Sequence, residues 1–317
     1  MKYVLLFLSL LAYFSFNPGK AEDAKDASIH TYRGHAGTVI GLDWSPQQML
    51  LASSGLDQTV MLRDLEQQRF VKSCFGHTNY VYCVAWNPAG DRLASASYDG
   101  TIRIWDIAER TLTQTLTGHS GPVMSVSWSP DGKKVASGGK DKSVRIWNAE
   151  TGELVRTVGE HTDIIISVAW HPDGQRIASG GFDNVVRVWD VDGKEEPLVW
   201  SGHTQPIESV AWNSTGTELA SGGRDNKAII WSYPTGKKLQ LLEGHTARIE
   251  CVRWSDDDTR LATSSQDNTI NIWKTSTGEL SQTLSGHQSA VRGLSWINNH
   301  ELASGSEDET IKIWKIE

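Results

Sequence analysis

The sequence predicts an all-β protein assembled from seven copies of one four-stranded antiparallel unit, and three observations carry that reading. The first is a period: His35, His77, His119, His161, His203, His245 and His287 follow one another at a step of 42 residues. A Trp stands nine residues after each of them, at 44, 86, 128, 170, 212, 254 and 296. An Asp lies 22 residues after the first six His, from Asp57 to Asp267, and Asp308 arrives one residue early in the seventh copy. Self-similarity at a fixed period of this length marks a repeat architecture. The second observation is short alternating apolar runs separated by turn residues, which read as strands. The third is that no segment long enough to be a helix shows a 3.6-residue period.

The third copy shows each element in order. Pro122–Trp128 alternates Val123, Val126 and Trp128 with smaller residues, and Ser129-Pro130-Asp131-Gly132 reverses the chain. Lys134–Gly138 is a second apolar run, turned at Gly139–Asp141. Ser143–Trp147 sets Val144 and Ile146 between polar neighbours, and Thr151-Gly152 precedes a fourth run over Leu154–Val158. Six residues beyond the turn Asp stands a further Trp in every copy but the first, where Arg63 takes its place. That substitution predicts a weaker first unit.

The Gly-His dipeptides (Glu160-His161 in the fourth copy), the turn Asp and the intact Trp105-Asp106 and Trp189-Asp190 pairs make residues 28–317 resemble the WD-repeat family. The resemblance implies a seven-bladed β-propeller, with four antiparallel strands per blade packed radially about a central channel. Ser28–Arg33 lies just before Gly34-His35, where every later copy places its fourth strand, whereas the last copy ends after three. The N-terminal strand is therefore expected to complete the last blade and leave no open edge.

Ahead of the repeats, Lys2, the apolar run Tyr3–Phe16 and the small-residue end at Ala21 read as a cleaved signal peptide over residues 1–21, followed by a short polar linker, 22–27. The apolar run is too short for a comfortable membrane span, so no stable membrane insertion is expected after cleavage. The expected destination is exported, periplasmic or secreted. The alternative is a cytoplasmic or membrane-anchored scaffold with an uncleaved leader. A net charge of -8 argues against nucleic acid as the main partner. Cys74, Cys83 and Cys251 read as small core residues, with Cys83 and Cys251 too far apart around a ring to pair. His30, His171 and His300 lack metal-ligand spacing, no Gly-rich phosphate loop is present, and neither metal nor cofactor is expected. Asn213-Ser214-Thr215 is a glycosylation sequon in a turn.

Every copy contains Ser (or Thr), His and Asp, a set that could be mistaken for a hydrolytic triad. Seven repetitions in one register argue otherwise. The resemblance implies that His119, Ser137, Asp141 and Trp147 form a structural hydrogen-bond network, as do their counterparts in other copies. The same resemblance places contact positions three and five residues after each His and immediately before each turn Asp. In the first four copies these include Tyr80, Tyr82, Tyr98, Met124, Lys140, Ile164, Ile166 and Phe182; in the last three, Arg224, Arg248 and Arg292 with Glu208 and Glu250. An apolar arc rimmed by charge marks a recognition surface. The expectation is a monomeric, non-enzymatic scaffold that holds a peptide or loop of a partner protein. Its aromatic residues would bury apolar groups and its arginines would pair with acidic ones. The alternative in another class is a propeller enzyme at the channel mouth, with Glu208 and Glu250 its best acid-base pair.

Overall fold

The computed structural model describes residues 26–109 and 111–317. The signal peptide assigned to 1–21 lies outside the described residues, as does the linker up to residue 25. Asp26 and Ala27, the end of that linker, already belong to the ring. Ala27 donates its backbone N–H to Ser285 at 3.2 Å, and the Asp26 carboxylate accepts from Lys312 and from the Ser28 amide.

Twenty-eight strands among the described residues form seven four-stranded antiparallel sheets. In the third blade the strands are Val123–Trp128, Lys134–Gly139, Ser143–Asn148 and Leu154–Glu160, within two residues of the predicted runs. The last blade takes Val291–Asn298, Glu301–Ser306 and Ile311–Lys315 from the C-terminal end and Ser28–Tyr32 from the other, with Ser28 opposite Trp314 and Tyr32 opposite Ile311. Its inner strand is tied to the first blade by the Trp44 amide, which donates to Ser295 Oγ at 3.0 Å.

The core lies between neighbouring sheets. Ile102, Ile104 and Leu116 of the second blade pack on Val123, Val126, Trp128 and Val135 of the third, and the same layer recurs around the ring. Alternation along each strand gives every sheet two apolar faces to bury, the period-2 consequence of strand geometry. In five blades the indole of the Trp nine residues after His also bonds across the junction: Trp128 Nε1 donates to Ala85 O and Trp254 Nε1 to Ala211 O, each at 2.9 Å.

Each blade is held at its outer corner by the network the resemblance implied. In the third, His119 Nδ1 meets Asp141 at 2.9 Å, His119 Nε2 meets Ser137 Oγ at 2.7 Å, and Trp147 Nε1 donates to Ser137 Oγ at 2.8 Å. The Asp carboxylate also accepts the amides of Ser120 and Ser143, which pins the loop before the first strand to the turn between the second and third. The equivalent Ser and Thr residues are completely buried, so no substrate can reach their hydroxyls. In the first blade Ser53 receives no indole donor. Arg63 occupies the Trp position, donates to Arg33 O and lies 5.3 Å from the centroid of the Tyr32 ring, while its Nε has no partner among the described residues. The network there is incomplete, as the sequence predicts.

Candidate functional site at the channel mouth

The inner strand of every blade carries one irregularity, and that irregularity builds the site. Pairing with the second strand skips one residue between Val39 and Gly41, Val81 and Cys83, Val123 and Ser125, Ile165 and Ser167, Ile207 and Ser209, Ile249 and Cys251, and Val291 and Gly293. The skipped residues are Ile40, Tyr82, Met124, Ile166, Glu208, Glu250 and Arg292, each five after its His. A β-bulge leaves the extra residue out of the ladder and re-aims its side chain; here all seven turn onto the channel mouth. A second device brings the other two contact positions beside it. The residue before each turn Asp donates its amide to the carbonyl three after the His: Tyr98 to Tyr80, Lys140 to Pro122, Phe182 to Ile164 and Arg224 to Pro206, each at 2.8 Å.

These side chains enclose one cavity of about 340 Å³. Nine of the ten sequence-nominated residues line it: Tyr82, Tyr98, Met124, Ile164, Ile166, Phe182, Arg224, Arg248 and Arg292. Tyr80 stands outside, 40% exposed, with its ring 6.1 Å from that of Tyr98. Tyr98 in turn lies 6.0 Å from Tyr82, so the three tyrosines form one tilted stack running from the rim inward. Burial raises the Tyr82 phenol above the ordinary tyrosine value, more than Arg292 lowers it.

The charged arc differs from expectation. Arg224, Arg248 and Arg292 already have carboxylates on the same chain and do not stand free for a partner's acids. Arg224 pairs with Glu208 and covers the Phe182 ring, its guanidinium carbon 4.4 Å from the centroid. Arg248 and Arg292 both donate to Glu250 Oε1, Arg292 at 2.7 Å, and Arg292 lies 3.6 Å from Glu307. Burial pushes the Glu250 carboxyl up, and the two arginines pull it back. Both carboxylates of the acid-base alternative are thus held in ion pairs. Sequence spacing brought these groups to one face but could not show that they consume one another.

Two cations were missed or undervalued. Lys140 is exposed on the apolar side of the mouth and has no ion pair among the described residues. Arg253 lies below the mouth on the inner wall of the sixth blade; among the described residues its one side-chain bond goes from Nη1 to the Val252 carbonyl at 2.9 Å. The signal was present: the equivalent positions carry Asp43, Ala85, Ser127, Ala169, Ala211 and Ser295, a small-residue row in which one Arg is conspicuous. Cys83 and Cys251 are free thiols that pack at the edge of the core and also line the cavity. His171 is a buried core residue, bonded to Gly216 O at 2.8 Å and edge-on to Trp212. The Asn213 amide is buried and donates to Thr215 and Thr217, so its sequon is closed to glycosylation in the folded chain.

A seven-bladed ring, a His–Asp–Ser/Thr network in each blade and a bulge-built mouth define the class as a WD-type β-propeller. Residues 40–196 match the family described as WDR19 first beta-propeller, and residues 195–232, 236–274 and 278–315 each match the WD domain, G-beta repeat. The chain is a propeller carrying WD40 repeats. No curated protein matches it.

Proposed function

We propose that this propeller is a non-enzymatic platform that binds a peptide or loop of a partner protein across the channel mouth. The observation that supports it best is the convergence of the bulged residues and the pre-Asp residues on one cavity, with Tyr82, Tyr98, Ile166 and Phe182 as apolar anchors. Such a cavity is large enough for two or three side chains. Aromatic anchors in enclosed pockets carry most of the energy of an interface, about 2 kcal/mol or more each. Catalysis is disfavoured because Glu208 and Glu250 are occupied by Arg224, Arg248 and Arg292.

The test is a cross-linked pull-down from the native source with wild type and with a Tyr82→Ala/Tyr98→Ala variant, both checked as folded, followed by calorimetric titration of the captured partner. The expected loss in the variant is about 30-fold or greater, from the anchor energy above. Equal binding by both proteins would move the site elsewhere on the ring. We also propose that the chain is exported and works as a monomer. Intact mass of the native protein tests the first point: a mature form beginning at Glu22 supports export, and one beginning at Met1 supports the anchored or cytoplasmic alternative.

A further inference from the structure

Resting on the peptide-platform reading, we infer that the bound segment is acidic, with a carboxylate that enters the channel mouth and descends onto Arg253.

The lining of the cavity is positively biased. Lys140, Arg224, Arg248, Arg253 and Arg292 face it with only Glu208 and Glu250 as carboxylates, in a chain whose net charge is -8. Three of these arginines are spoken for by Glu208 and Glu250. Arg253 is not: among the described residues no carboxylate lies within 4 Å of its guanidinium, whose hydrogen bond goes to the Val252 carbonyl. The polar side chains that act on it electrostatically are Cys251, Cys83 and Asp43, and Asp43, which is not among the cavity-lining residues, accepts the Trp86 amide at 2.7 Å.

The wall above Arg253 gives access to it and adds donors of the same sign. The residues six after each His are Gly41, Cys83, Ser125, Ser167, Ser209, Cys251 and Gly293, all small and all lining the cavity. Ser167 Oγ accepts the Val210 amide at 3.1 Å and Ser209 Oγ accepts the Val252 amide at 3.2 Å. Each hydroxyl thus accepts one amide and retains a hydrogen for which no hydrogen-bond acceptor stands among the described residues, and both residues are more than nine-tenths buried. Buried donors without acceptors are costly unless a ligand supplies the acceptor. A guanidinium with two hydroxyl donors is an acceptor-poor pocket that a carboxylate completes, since an ionised carboxylate offers about four lone-pair sites and no donor. A Lys or Arg side chain would find no such complement there. The apolar arc beside it fits a bulky residue next to the acid, and Lys140 at the rim fits a second acidic group.

The experiment selects a phage-displayed random dodecapeptide library on the full chain, then measures fluorescence anisotropy with synthetic versions of the enriched peptide. One set replaces its acidic residue by Gln or Lys. Another ends the peptide at that residue's position, as free acid or as amide, which separates a side-chain carboxylate from a chain terminus. The expected result is enrichment of Asp or Glu beside aromatic or branched residues, and at least tenfold tighter binding of the acidic peptide than of its Gln version. Arg253→Gln should erase that preference, Arg253→Lys should restore part of it, and Lys140→Gln on the surface should weaken the acidic peptide alone. If the Gln or Lys version binds as well as the acidic one to wild type, the carboxylate assignment is overturned and the platform reading stands. If no peptide of any charge enriches, both fall.

Discussion

At the scale of single residues, the propeller carries two groups whose replacement should stabilise it. Arg63 places a cation where six blades have an indole, and it leaves Ser53 without the indole donor and its own Nε without an acceptor among the described residues. Arg63→Trp restores the network and removes a buried unpaired group, so it should raise stability by about 1–2 kcal/mol and the melting temperature by a few degrees. An unchanged or lower melting point would show that the contacts to Tyr32 and the Arg33 carbonyl outweigh the missing indole. The second group is Asp43, which burial holds at about 6 against 3.8 in the ordinary range. Its ionised form is disfavoured in the folded chain, so its destabilisation is fully present above pH 6 and is relieved as pH falls toward 4. The turn aspartates behave oppositely. His35 and the Thr59 and Ala36 donors lower Asp57 to about 2, despite its burial, and Asp99, Asp141, Asp267 and Asp308 lie lower still. Their contribution is complete above pH 4 and lost as pH falls through the folded values. Urea midpoints should therefore rise slightly from pH 7 to 5 and collapse below 4. Asp43→Asn, which keeps an acceptor for the Trp86 amide, should stabilise by at most about 3 kcal/mol at pH 8 and by nothing at pH 4. An equal gain at both pH values would remove Asp43 as the source of the rise.

At the scale of elements, the strand Ser28–Tyr32 is held by a side chain from the far end of the chain. Lys312, nearly buried, donates to Asp26, to Ser28 Oγ and to Thr31 Oγ1, the last at 3.1 Å. Charge-assisted bonds of this kind contribute about 1.5–3 kcal/mol. Lys312→Met should therefore raise the hydrogen-exchange rate of Ser28–Tyr32 by tenfold or more while leaving the middle blades unchanged. Protection that stays the same would assign the clasp to backbone pairing alone. The strands themselves were legible in the sequence, because period-2 alternation and turn residues are local signals that Pro122–Trp128 and its repeats display openly. The bulges were not. Tyr82 and Met124 look like ordinary members of an alternating run, and only the pairing with the neighbouring strand shows that each is left out of the ladder. That nine of the nominated residues share the channel mouth was legible through the family resemblance, whereas the pairing of Arg292 with Glu250 was not, since these residues are 42 apart in sequence and meet only across a blade junction.

At the scale of the whole molecule, the ring separates the residues that stabilise it from those of the proposed binding face. The His–Asp and His–Ser/Thr bonds repeat in all seven blades, while the mouth places aromatic residues on one side and charges on the other. Closure of the ring is a topological property that can be tested directly. A permutant that begins at residue 289 and joins Glu317 to Asp26 by a short Gly-Ser linker gives the last blade four consecutive strands, so the circle is closed by face packing and side-chain bonds such as those of His287 to Ser304 and Asp308, with no blade shared between the two termini. It should fold with the same far-ultraviolet spectrum and unfold at a lower urea midpoint. An equal midpoint would mean that the shared blade adds no stability. The same pairing of Ser28 with Trp314 sets an order on biosynthesis. Among the described strands, the earliest to emerge from the ribosome finds its partner only when the latest has followed. A nascent chain therefore remains an open arc with an unmatched sheet at each end until Ile311–Lys315 has been made, and a product terminated before that strand can never become a ring.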